Sequence, residues 1–132
     1  MNYFSVMNSE KAKALNTLTL AFIGDAVHTL YEREECVHQS DAKAGILHLR
    51  VTEKVKAAAQ AGLADALQTV FTEEELEIYH RGRNCKSHTV AKHASVEDYR
   101  KATGLEAVLG YLYLTGNRQR IVQLLQLQEK AK

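Results

Sequence analysis

Two acidic residues sit where an ionised carboxylate is energetically out of place. In Phe22-Ile23-Gly24-Asp25-Ala26-Val27 an aspartate lies inside the most apolar stretch of the N-terminal half. Without a partner, an ionised carboxylate in such surroundings costs several kcal/mol. Gly24 beside it lowers helix propensity by ~1 kcal/mol relative to alanine. Glycine makes room where a backbone, a substrate or a hydrated ion must come close, and two locally unfavourable choices side by side point to function. The second case is Thr103-Gly104-Leu105-Glu106-Ala107-Val108-Leu109-Gly110, where Glu106 stands in a small-residue, apolar stretch with glycines on either side.

If the segments carrying these acids pack together, the facing carboxylates repel, and one of them keeps a proton unless a cation lies between. A hard divalent ion with oxygen ligands and several waters resolves the conflict, and Mg²⁺ fits best. Such an ion can activate water and stabilise charge on a phosphate in transfer. The competing reading is plainer: each acid pairs with a Lys or Arg, or satisfies a helix end. Spacing alone does not bring positions 25 and 106 together.

The elements that must position these acids read as helices. Residues 14–35 are apolar with helical spacing; Leu15, Leu18, Phe22 and Ala26 fall near one stripe, and Leu20, Ile23, Val27, Leu30 and Tyr31 fill much of the rest. A helix apolar over most of its surface is a central one. Ser40 or Asp41 can cap a second helix running to about Ala61, with Gly62 as its stop. Leu63 to Val70 makes a short helical segment. Thr72 with Glu75 forms a capping-box pattern, and Glu73 and Glu74 favour the first turn that follows. That helix frays near Gly82, and Asn84 to Ala94 reads as a loop. Ser95 and Asp98 suggest another capping box, opening a helix from about Val96 to Leu114. Gly116 and Asn117 mark its stop and a new cap for a last helix through Ile121, Val122, Leu124, Leu125 and Leu127. Residues 1–11 carry little pattern and are expected to form a partly mobile lead-in. Period-2 alternation is nearly absent, so the expected class is all-α, with six or so helices in one domain.

Bulk properties set outer bounds. A chain of 132 residues suits one domain and buries a core without disulfides or structural metal. Proline is absent, which favours long uninterrupted helices. Net charge is only +1, so any basic footprint must come from distribution rather than from the sum. Two cysteines, Cys36 and Cys85, read as ordinary thiols of a reducing compartment. No secretory leader and no run near the roughly 20 apolar residues of a membrane span is present, so a soluble, intracellular protein is expected.

Cations do cluster locally. Between Glu77 and Glu97 there is no acid, and Arg81, Arg83, Lys86 and Lys92 fall in that interval with His80, His88 and His93. Such a concentration is an electrostatic footprint for phosphates, to which Asn84 and Ser87 could add neutral hydrogen bonds. The alternative is a solvated basic loop balancing the acids at 73–77. The histidines lack metal-site spacing: there is no His-Glu-x-x-His motif, and His88 and His93 are five residues apart, poor for one helix face. His28, three residues after Asp25, reads as packing or an interface contact.

Three segments, in order, resemble a known family. Leu20-Ala21-Phe22-Ile23-Gly24-Asp25-Ala26-Val27 resembles the signature helix of ribonuclease III catalytic domains. Tyr99 to Tyr111 resembles their second acidic helix. His80-Arg81-Gly82-Arg83-Asn84-Cys85-Lys86-Ser87 is similar to the basic stretch of the Mini-ribonuclease III branch, which lacks a separate double-stranded-RNA-binding domain. The resemblance implies a single all-helical domain over residues 1–132, with six or seven helices, acting as a homodimer that cleaves double-stranded RNA with Mg²⁺. By that likeness Asp25 and Glu106 are the catalytic metal ligands, and Arg81, Arg83, Asn84, Lys86, Ser87 and Lys92 contact RNA. It further implies maturation of large-subunit (23S) ribosomal RNA precursor in the cytoplasm, with a ribosomal protein on that RNA as a further partner.

The chain departs from the larger enzymes of the family, which carry additional acids at positions here occupied by Leu18, Ala21 and Thr103. A site so depleted would hold its ion largely with water. The same losses motivate the alternative reading, a non-catalytic double-stranded-RNA-binding helical dimer.

Overall fold

The computed structural model describes residues 4–85 and 95–130. Among them there is no β-strand. Seven helices follow in order: α1 (Ser9–Lys13), α2 (Thr17–Gln39), α3 (Ala44–Val55), α4 (Ala57–Ala66), α5 (Glu73–Arg83), α6 (Val96–Leu114) and α7 (Arg118–Lys130), with a 3₁₀ turn at Leu67–Thr69 after α4.

α6 is the axis of the fold and packs on α2, α4 and α5. Leu105, Ala107, Val108 and Leu109 are fully buried there, among Leu20, Leu67, Ile78, Leu124 and Leu125 from its neighbours. Glycines let two of these crossings close to backbone contact. A Cβ on Gly24 would overlap the carbonyl of Glu106, and one on Gly110 would overlap that of Leu20, so α2 and α6 meet main chain to main chain. On another side of α6, a Cβ on Gly82 would come within 2.8 Å of the Cα of Gly104.

Local chemistry sets most ends. Ser95 Oγ accepts from the Asp98 N–H at 3.0 Å and opens α6. α6 closes just before Gly116, whose φ of +80° favours glycine. Thr72 and Glu75 form the expected reciprocal capping box. Glu75 is buried, and its two oxygens also receive Arg120 at 2.9 and 2.8 Å, which ties α7 to α5. Gln128 donates to the carbonyl of Lys54 and fixes the far end of α7.

Three expectations are corrected. The helix anticipated from Ser40 or Asp41 to Ala61 is two helices, because Lys56 is extended (φ −67°, ψ 155°) and turns the chain between α3 and α4. Ser40 ends α2, its hydroxyl accepting the Ala42 N–H, and does not cap α3. Gly62 is no stop: it lies exposed inside α4. From Met7 on, the chain is tied to the domain. Asn8 caps α1, Ala12 is fully buried, and the Met7 N–H donates to the Leu114 carbonyl at 2.7 Å.

α2 differs from a helix enclosed on all sides. Leu18, Phe22, Leu30 and Val37 are exposed, Phe22 to 76%. They share one side of α2, continuous with the Ala26 and Arg33 positions.

Candidate active site

The crossing of α2 and α6 decides where the two acids go. Because Gly24 rests on the Glu106 carbonyl, the residue after the one and the side chain of the other emerge at the same place. The Asp25 and Glu106 carboxyl groups are within hydrogen-bonding reach of each other. Asp25 is exposed and Glu106 is partly buried. Burial, followed by the hydrogen bond and the negative charge of Asp25, pushes Glu106 up from an ordinary value near 4.5 to about 8. A hydrogen bond from Gln60 acts in the opposite direction.

Two oxygen-donor carboxyl groups, one of which resists ionisation unless positive charge arrives, make a donor set suited to a hard divalent cation. Among the described residues no group of three or more His, Cys, Asp or Glu side chains is arranged to hold a metal. The departures at Ala21 and Thr103 are structural as well as compositional. Ala21 is buried, and the Thr103 hydroxyl donates to the Tyr99 carbonyl of its own helix at 3.0 Å.

Gln60 was not singled out in the sequence, although the signal was there: a lone polar residue in Ala57-Ala58-Ala59-Gln60-Ala61. It is 3% exposed, and its Nε2 lies 2.9 Å from His28 Nδ1. His28 is fully enclosed.

The basic residues divide. Arg81 turns into the protein, donating to the carbonyls of Lys13 and Leu15 at 3.2 and 3.5 Å, where it caps the end of α1. Arg83 and Asn84 line an open cleft with Val96, Glu97, Arg100 and Lys101 at the start of α6. Arg100 is exposed there and was overlooked because it lies beyond the acid-free interval. Lys101 is held by Asp65 at 3.0 Å and Glu97 at 3.2 Å. Lys86, Ser87 and Lys92 lie outside the described residues. Cys36 and Cys85 are both free thiols.

An all-helical domain with an acid from each of two helices locked at a glycine crossing is the arrangement expected of a ribonuclease III catalytic domain. The ribonuclease III domain family matches residues 18–117, and the chain belongs to that family. It is a ribonuclease III-type endoribonuclease, of the class that cleaves double-stranded RNA. The chain is 46% identical to the Mini-ribonuclease 3 of Enterococcus faecalis, over 86% of this chain and 87% of that one. It is 44% identical to the Mini-ribonuclease 3 of a Thermoanaerobacter species, over 92% and 86%. A crystal structure of a Fusobacterium nucleatum protein superposes with a TM-score of 0.82 at 29% identity, covering 90% of this chain and 95% of that one.

Proposed function

We propose that the protein is a Mg²⁺-dependent endoribonuclease that hydrolyses phosphodiester bonds in double-stranded RNA, with Asp25 and Glu106 as the metal-holding catalytic pair. The observation that carries this reading is the meeting of these two carboxyl groups at the α2–α6 crossing, one of them pushed up to about 8. When bound, the ion supplies charge stabilisation at the phosphate and a water of lowered pKa. Asp25, on the exposed side, is the acid a duplex can approach; Glu106 forms the inner wall. Arg83 and Asn84, with Lys86, Ser87 and Lys92 from the adjoining segment, would position the backbone. Arg81 stays in the proposed set only if RNA draws it from the α1 carbonyls. Such contacts read A-form shape and phosphates rather than bases.

The proposed working unit is a homodimer. The exposed side of α2 carrying Phe22, Leu30 and Val37 is apolar over a length that a second copy would cover. The setting is proposed to be the cytoplasm, and no described helix is long and apolar enough to cross a membrane. The proposed substrate is the 23S ribosomal RNA precursor, either bare or carrying a ribosomal protein.

The non-catalytic alternative draws on Ala21 and Thr103, which leave the site with two acids. One experiment separates the two. Duplex RNA is incubated with Mg²⁺ and wild-type protein, Asp25→Asn or Glu106→Gln. Discrete metal-dependent products from the wild type, lost in both variants, are expected. Duplex binding without products would establish the alternative, and undiminished cutting by Asp25→Asn would remove that residue from the site.

A further inference from the structure

Beside the acid pair lies a group of buried polar side chains, Gln60, His28 and Glu32. Gln60 of α4 lies within hydrogen-bonding reach of Glu106, and its Nε2 is 2.9 Å from Nδ1 of His28 on α2. An amide nitrogen donates but does not accept, so it offers one hydrogen to the carboxylate and the other to the ring. His28 Nδ1 is then the acceptor, and the other ring nitrogen, Nε2, makes no hydrogen bond to the described residues. That atom faces Glu32 Oε1, one helical turn on, at 3.7 Å. Glu32 Oε2 in turn lies 3.7 Å from Lys54 Nζ on α3. His28 is fully enclosed and Glu32 is 2% exposed.

Burying an imidazole, a carboxylate and a primary amide together is expensive where hydrocarbon would pack as well. The contacts run from His28 through the Gln60 amide to Glu106, while Glu32 and Lys54 stand beyond His28 at ion-pair distance without a hydrogen bond to it. We propose that Gln60 is a positioning residue for the metal site. Its amide would aim the Glu106 carboxylate at the divalent ion, and the contact with His28 Nδ1 holds that amide in the donating orientation. Outer partners that orient a ligating carboxylate commonly change metal affinity by about 10- to 100-fold. The inference rests on the reading of Asp25 and Glu106 as metal ligands.

The test is Mg²⁺ affinity of the full chain by isothermal titration calorimetry, with thermal midpoints measured alongside. Glu106→Gln is the reference and is expected to abolish tight binding. Gln60→Met keeps volume but removes the donor, and is expected to weaken Mg²⁺ binding about 10-fold or more. His28→Leu removes the acceptor at Nδ1 and should weaken binding similarly. His28→Asn restores a polar atom near that position and should recover much of the affinity, a rescue that volume filling alone would not give. Wild-type affinity in folded Gln60→Met, or equal affinities for His28→Leu and His28→Asn, would overturn the proposal while leaving the metal pair standing. Unchanged affinity in Glu106→Gln would remove the metal pair itself, and the role of Gln60 with it.

Discussion

Gly24 rests against the backbone carbonyl of Glu106, so closely that a single methyl group at position 24 would overlap the oxygen. The glycine next to one acid is thus spaced by the peptide of the other. Its presence beside Asp25 answers to a neighbouring backbone rather than to an ion or a substrate.

Gly24→Ala should force α2 and α6 apart and destabilise the protein by about 3 kcal/mol, the upper range for overpacking a tight contact. Cleavage should fall further than the folded fraction does, because the acids separate. Gly62→Ala is the matched control: that glycine lies exposed in α4 with nothing within 4 Å, so alanine should be neutral or stabilising by up to ~1 kcal/mol. Urea titrations of both variants test the pair, and equal stabilities would contradict the crossing described.

Protonation of Glu106 gives a signed pH dependence. Its carboxyl is raised in the folded protein to about 8, from near 4.5 in a free chain. Between those values the folded state holds a proton that the unfolded state has released. Stability of the metal-free protein should therefore be greatest at the acid end of this window. It should fall as pH rises toward 8 and then level off. Binding of Mg²⁺ near pH 7 should expel that proton. Calorimetry in two buffers of different ionisation enthalpy detects the release, and Glu106→Gln should abolish both effects.

Arg81 and Arg83 are two residues apart and should fail differently. Arg81→Ala removes the donors to the Lys13 and Leu15 carbonyls, so its main effect should be a lowered thermal midpoint, by a few degrees for ~1 kcal/mol. Arg83→Ala should leave the midpoint nearly unchanged. It should weaken duplex RNA binding uniformly across sequences and flatten the salt dependence by about one unit. Melting curves and salt titrations distinguish them, and a reversed pattern would reassign both.

Phe22→Glu places a charge in the middle of the exposed apolar side of α2. If a second copy covers that side, sedimentation should show a shift from dimer to monomer with helix content retained. A wild-type monomer at working concentration would set the dimer aside.

Much of the layout was legible because capping chemistry is local. Ser95 and Gly116 bracket α6 at the expected residues, and Thr72 with Glu75 announces α5 in four letters. The break at Lys56 was invisible, since it uses neither proline nor glycine and follows from packing of α4 on α6. Gly62 misled for the converse reason: a glycine in a helix interior carries the same letter as one that ends it. α1 is five residues long, too short to show a period. At the site, both acids could be suspected from their apolar surroundings. Their meeting could not, because it depends on a crossing between positions far apart in sequence. Gln60 shared their signature, but a neutral amide among alanines raises less alarm than a charge.

The reciprocal seating of Gly24 on Glu106 and of Gly110 on Leu20 has a consequence for ion choice. Helices separated by leucines can shift as rotamers change; helices touching through main chain have less room to do so. With the two backbones in contact, the gap between the acids is set mainly by the reach of the Asp25 and Glu106 side chains. A cation of larger radius and higher coordination number, such as Ca²⁺, would have to be met on those terms. Any preference of the proposed site for a small ion would then reside in two residues that have no side chains at all.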